Sequence, residues 1–305
     1  MRPNKILKSF LVLFFKKELL SLGLAATAAP MTLQQYLALT GPAPTAHIAY
    51  GQAASQYVEF YEPSGVGPFP VAVLVHGGCW SSDLGGIAQF RGMASTLQTR
   101  GIAAWSIEYR RIDEPGGGYP GTYRDIIAAL DMLAADAAKY HLDTSRIVAV
   151  GHSAGGHLAQ WIGARGRIPR SSRLYEAHPL AVHEIVGLGS IADLRGGAAW
   201  IRQVCDVDTA QLTGSPAPGR GDVFADTSPA AMLPSGTHTV LINGAADRQV
   251  PASVAAAYAA LVRLAGDKVE TSVVPGASHF DEVAVGSPAW PTVMSAIHDA
   301  LAVGR

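Results

Sequence analysis

The sequence predicts an α/β fold built on a mostly parallel, doubly wound sheet with helices on both faces, and three features of its 305 residues carry that expectation. The first strand candidate, Tyr57–Tyr61, alternates with period two, and short apolar runs recur after it at Val71–Val75, Ala103–Tyr109, Ile147–Val150, Ile185–Leu188, Val240–Ile242 and Val269–Val274. Nearly continuous runs of this length mark strands buried on both faces. Helical patterns lie between them. The plainest is Tyr123–Lys139, where Ile126, Ile127, Leu130, Leu133 and Ala134 share one face. Ala255–Leu264 and Val293–Leu301 repeat it, with Pro251 and Pro291 near their starts, where proline is tolerated. The third feature is the strict alternation of the two patterns, which is the signature of a doubly wound sheet.

Hydrophobic residues make up 49% of the chain and charged ones 15%, against about a quarter in an average domain, which excludes long charged or disordered tails. Net charge is -1 and no Lys/Arg-rich stripe occurs, so nucleic acid is excluded as a partner and a small or neutral molecule is favoured. Cys79 and Cys205 are too few and too far apart for a metal cluster or a disulfide scaffold; they read as two separate thiols, with one bridge as the alternative. No H-E-x-x-H, paired Cys-x-x-Cys or Walker-type loop occurs, so no metal or other cofactor is expected.

Residues 1–30 read as targeting sequence: basic residues first, apolar Phe10–Phe15, a Lys16-Lys17-Glu18 interruption, then apolar and small residues up to an Ala26-Thr27-Ala28 step of signal-peptidase type. Neither apolar stretch approaches the ~20 residues of a membrane span. An exported, periplasmic or secreted protein is expected, the alternative being a cytoplasmic one whose translation starts at Met31. Residues 31–56 read as an N-terminal segment with a Pro/Gly/Thr/Ala linker at Thr40–Ala46, and 57–305 as the folded domain. Within it, residues 193–236 interrupt the rhythm with Trp200, Ile201, Val204, Leu212 and a Gly/Pro-rich stretch, and are expected to form a small cap or substrate loop.

Three segments carry chemistry. Gly151-His152-Ser153-Ala154-Gly155 is a G-x-S-x-G pentapeptide set between the apolar strand Ile147–Val150 and a helical run, His157–Ile162. That context forces the serine into a sharp turn with its hydroxyl projecting at the carboxyl end of the sheet. His76-Gly77-Gly78-Cys79-Trp80 closes the strand begun at Val71, and the N–H groups of Gly78, Cys79 and Ala154 can face a developing oxyanion. Finally, Leu241–Asp247 and Val273–His279 are strands that run into loops delivering an acid and a histidine. The order Ser153, Asp247, His279 makes Ser153 the nucleophile, His279 the general base and Asp247 the residue that orients it. Asp281 and Asp267 are rival acids. Trp80 is expected to shape a substrate pocket. His152 is a second pocket candidate, though the elbow's geometry makes packing the stronger reading for it and for His157.

The pairing of His76–Trp80 with Gly151–His157 resembles the esterase/lipase branch of the α/β-hydrolases, especially kynurenine formamidases and related bacterial carboxylesterases. Tyr109-Arg110-Arg111, Gly118-Tyr119-Pro120, Ser190–Arg195 and Thr227-Ser228-Pro229 resemble that group too. The resemblance implies an α/β-hydrolase fold with a small cap insertion, the triad Ser153, Asp247 and His279, and an oxyanion hole at Gly78, Cys79 and Ala154. Cys79 departs from the glycine or tyrosine common in such proteins. The expected activity is serine-dependent hydrolysis of small to medium carboxylic esters through an acyl-enzyme. Arylformamidase activity on an N-formyl amide is the alternative, and a catalytically silent binding domain the third reading.

Overall fold

The computed structural model describes residues 29–302. Its centre is one eight-stranded sheet in the order β1-β2-β4-β3-β5-β6-β7-β8. The strands are β1 (Ala46–Ala49), β2 (Tyr57–Tyr61), β3 (Phe69–Val75), β4 (Ala103–Ile107), β5 (Leu142–His152), β6 (Glu184–Leu188), β7 (His238–Gly244) and β8 (Lys268–Val274). Pairings from β4 through β8 are parallel; β1 and β2 are antiparallel additions at one edge.

The apolar runs form buried strands because alternate residues feed two separate cores. On one face Val71, Val73, Trp105, Ile107, Ile147 and Ala149 pack with helices α3 (Gly121–Asp136) and α4 (Ala154–Ala164). On the other, Ala72, Leu74, Val148, Val150, Val186 and Ile242 pack with α2 (Arg91–Thr99) and α8 (Trp290–Ala302). Each Val, Leu or Ile so buried contributes roughly 1.5–3 kcal/mol relative to exposure. Helix α7 (Ala252–Leu264) buries Tyr258, Ala259 and Val262 against Leu241. This is the α/β-hydrolase architecture. Since β3, β5, β6, β7 and β8 run parallel, the loops after them open at one edge of the sheet, where ligands bind in open α/β folds.

Two boundaries differ from the expectation. The domain does not begin at Tyr57: α1 (Leu33–Leu37) and β1 belong to it, and the Thr40–Ala46 segment is fastened rather than a free linker. Tyr61 Oη donates to Pro42 O (2.9 Å), and Met31 N–H donates to Asp281 Oδ2 (3.0 Å). Composition hides such long-range contacts. Residues 1–28, which hold most of the export-like stretch, lie outside the described residues; among those described, no helix is long and apolar enough to cross a membrane.

Residues 193–236 join β6 to β7 and carry α5 (Ala198–Cys205) and α6 (Ala210–Thr213) over the carboxyl edge. The second half of this cap is anchored by a buried ion pair. Arg220 Nε and Nη2 donate to both oxygens of Asp226 (2.7 Å each), and Asp226 Oδ2 also accepts from Ser172 Oγ (2.5 Å). Removing one partner of a buried pair strands the other charge, so Arg220→Ala is expected to cost about 3–5 kcal/mol in urea unfolding. A cost below about 1 kcal/mol would mean that the pair is as weak as an exposed one.

Candidate active site

Ser153 sits between the last residue of β5 and the first of α4 with φ 54° and ψ -119°, a conformation costing on the order of 1–3 kcal/mol outside glycine. Two features hold it there. Its N–H donates to Leu188 O (2.8 Å), and Gly155 lets α4 press against β3: a Cβ at that position would lie 2.1 Å from Val75 O. The elbow's glycine is thus a matter of space.

The loops after β7 and β8 bring the other two candidates together. His279 Nδ1 donates to Asp247 Oδ2 (2.8 Å), while Asp247 Oδ1 accepts from the N–H groups of Gln249 (2.9 Å) and Val250 (2.8 Å). Both carboxylate oxygens are therefore fixed. The rival acids are engaged elsewhere. Asp281 Oδ2 ties its own loop through Ser278 N–H and Oγ (2.7 Å each), and Asp267 caps Ser235 and Gly236 just before β8 starts, at the opposite end of the sheet. Ser153 and His279 line one cavity of about 190 Å³.

Gly78, Cys79 and Trp80 all take positive φ (111°, 52° and 53°), which turns their loop across the mouth of β3. None of the N–H groups of Gly78, Cys79 and Ala154 donates to an acceptor among the described residues. Two expectations are corrected here. Trp80 does not line the cavity: the turn folds its ring into the core, fully buried and edge-on to His157 (5.5 Å). Nor are the cysteines separate thiols; Cys79 and Cys205 form a disulfide, their Cα atoms 5.4 Å apart. Only the folding of the cap over the sheet brings together residues separated by 126 positions.

His76 braces this loop from below. Its Nε2 lies 2.9 Å from Glu108 Oε1, its Nδ1 lies 2.8 Å from Gly77 O, and its ring stacks on Tyr109, whose hydroxyl donates to His76 O (3.0 Å). Burial pushes the Glu108 carboxyl up, but His76, Arg111 and the Tyr109 N–H outweigh it, leaving it below its ordinary range. Sequence reasoning did not single out Glu108, although it directly follows β4 and precedes the Tyr109-Arg110-Arg111 segment.

Three further residues escaped the sequence reading. Leu33 and Tyr36 of α1 line the cavity, and Tyr36 stacks on Phe280. Glu282, three residues beyond the histidine, is completely buried; its Oε1 accepts Gly244 N–H (2.7 Å) and its Oε2 has no hydrogen-bond partner among the described residues. Burial, then the nearby Asp247 charge, raises this carboxyl well above its ordinary range. His152 both packs and lines the cavity. Its Nε2 donates to His279 O (3.0 Å), and burial, then the proximity of the His279 ring, pushes it well below the ordinary histidine range. His157 is pushed down to about 4 by burial and donates to Thr227 O (2.8 Å), a packing role as expected.

His152, His279 and Glu282 bring ligand atoms within 4.8 Å of one another. They suit a divalent cation poorly, because a metal site needs its carboxyl deprotonated and burial pushes the Glu282 carboxyl toward its protonated form.

The sheet order, the elbow and the loops at its carboxyl edge define an α/β-hydrolase. Within that class the chain belongs to the BD-FAE family, whose profile matches residues 58–260. Among curated relatives, "Probable isoprenylcysteine alpha-carbonyl methylesterase ICMEL1" of Arabidopsis thaliana is 31% identical over 113 residues, 37% of this chain and 23% of that protein. The match thus spans about a quarter of that relative's length. Among solved structures, a truncated carbohydrate esterase from gut microbiota superposes with TM-score 0.68 at 20% identity, covering 90% of this chain and 99% of that one. The esterase Est2 of Thermogutta terrifontis gives 0.66 at 21%, covering 85% and 91%.

Glu282 generates a prediction with a definite sign. The folded protein keeps a proton on it that the unfolded chain loses above the ordinary glutamate range, so its contribution to stability is full in acid and is lost as pH rises toward the raised value. Glu282→Gln keeps an acceptor for Gly244 N–H and has no proton to lose. In urea unfolding it is expected to match the parent near about pH 4 and to be the more stable near about pH 8. Equal weakening at both would show that Glu282 is needed as a carboxylate.

Proposed function

We propose that this protein is a serine-dependent carboxylic ester hydrolase acting on small to medium esters through an acyl-enzyme. The observation that carries the reading is the convergence of Ser153 and the Asp247-oriented His279 on one cavity walled by N–H donors with no other acceptor. In this mechanism His279 takes the proton of Ser153 as its Oγ attacks the ester carbonyl, and later returns it to the leaving alcohol. Asp247 holds the tautomer that leaves Nε2 free to accept. Gly78, Cys79 and Ala154 N–H groups receive the negative oxygen, each worth roughly 3–4 kcal/mol of transition-state stabilisation in comparable sites. Family membership supports the reading, as do neighbours whose names describe esterases.

The cavity supports the proposed substrate size. At about 190 Å³ it is smaller than the ~300–1,000 Å³ of drug-sized sites, and Ile191, Trp200, Val204 and Phe280 make its walls apolar. The disulfide supports an oxidising, extracytoplasmic setting, where such bonds persist.

Hydrolysis of p-nitrophenyl esters from acetate to decanoate, run beside N-formylkynurenine, tests the assignment. Short-chain ester turnover that exceeds deformylation is expected; the reverse would make the protein an arylformamidase, and silence on both would favour a binding domain. Ser153→Ala should lower kcat by on the order of 10⁴ or more, and Asp247→Asn by on the order of 10⁴. Retention of most activity in the first variant would remove Ser153 as nucleophile; a neutral result in the second would remove Asp247 as the orienting acid.

A further inference from the structure

The Cys79–Cys205 bridge joins two parts of the site: the loop that carries the Gly78 and Cys79 N–H groups, and cap helix α5, whose Trp200 and Val204 line the cavity. Apart from that bond, α5 is held to the body lightly. Ile201 is the one fully buried residue among its eight, Val204 is 37% exposed, and the Arg202–Asp208 pair at its end is exposed on both sides. The following half of the cap has its own fastening in the buried Arg220–Asp226 pair, and the oxyanion loop has its own in buried Trp80 and in the Ser81 N–H to Gly78 O turn (2.8 Å). Helix α5 is held by Ile201, by the partly buried Trp200 and by the disulfide.

We infer that the Cys79–Cys205 disulfide is a redox-sensitive clamp that holds α5 over the cavity and thereby determines which esters the site accepts. Both cysteines are half-buried on the cavity wall, so a small thiol reaches the bond. In the opening step a thiolate of a dithiol reductant attacks one sulfur and forms a mixed disulfide, and its second thiolate then displaces the protein sulfur. The protein gains two electrons and two protons and carries two thiols, while the reductant leaves as its own disulfide. With the bond open, Ile201 and the partly buried Trp200 are left to hold the helix, its Val204 end swings outward, and the cavity widens toward bulkier groups. The substrate class rests on the proposed esterase activity; the movement of α5 does not.

The experiment compares the oxidised full-length protein with the same protein treated with dithiothreitol, two free thiols per chain being confirmed by titration. Two measurements are made: kcat/KM across the p-nitrophenyl series, and amide hydrogen exchange by peptide. Reduction should raise the ratio of octanoate to acetate kcat/KM about tenfold or more, a change of the size that one or two methylenes produce in an apolar pocket. It should also speed exchange in residues 198–205 while β5 and α4 stay protected, and reoxidation should restore both. Cys205→Ala should show the reduced profile from the outset and ignore the reductant. An unchanged ratio with both thiols titrated would overturn the inference, as would exchange that rises throughout the sheet, since the bridge would then secure the whole fold rather than the cap. Absence of ester turnover in the oxidised protein would defeat the esterase reading instead, and the exchange measurement would still decide whether α5 is clamped.

Discussion

The site depends on one close approach, that of α4 to the end of β3. Gly155 sits where any side chain would strike the carbonyls of Val75 and His76. Because it has none, the start of the helix reaches the end of β3 and the loop that follows it. The strained turn at Ser153 is the other face of that contact. A serine at φ 54° persists only because the strand before it, the helix after it and the bond to Leu188 O leave no room to relax.

Around the His279–Asp247 pair the protein surrounds one charge with groups that burial keeps neutral. Glu282 and His152 are both withdrawn from water, and each is pushed toward its uncharged form, the carboxyl upward and the imidazole downward. A second charge at either place would compete with Asp247 for the His279 ring. Neutral groups instead supply hydrogen bonds: Glu282 accepts Gly244 N–H at the root of the acid loop, and His152 donates to His279 O. The same desolvation that makes these residues costly to bury removes them as rivals within the Asp247–His279 pair.

The two halves of the cap rely on different physics. A guanidinium forked onto a buried carboxylate fixes the distal half without reference to solvent redox state, whereas the half that touches the cavity is tied by a covalent bond that exchange chemistry can open. The N-terminal segment adds a third wall. Met31, just before helix α1, is tied to the His279 loop, and α1 contributes Leu33 and Tyr36 to the cavity, so the N-terminal segment is part of its wall.

Much of this was legible in the residues themselves. Apolar runs in alternation with 3.6-residue patterns specify a parallel α/β sheet because strands covered on both faces tolerate nothing else, and the chain order of Ser153, Asp247 and His279 follows from the loops such a sheet exposes at one edge. Each of those signals is local, a strand followed by a turn, and local spacing is what a sequence displays. The remainder concerned contacts between distant segments. That Trp80 turns into the core rather than the cavity, that Cys79 meets Cys205, that Glu282 lies buried beside Asp247 and that Tyr36 walls the site all depend on where loops land once the sheet has formed. Nothing at those positions distinguishes them in sequence, because burial and partnership are properties of the assembled fold and not of the residue.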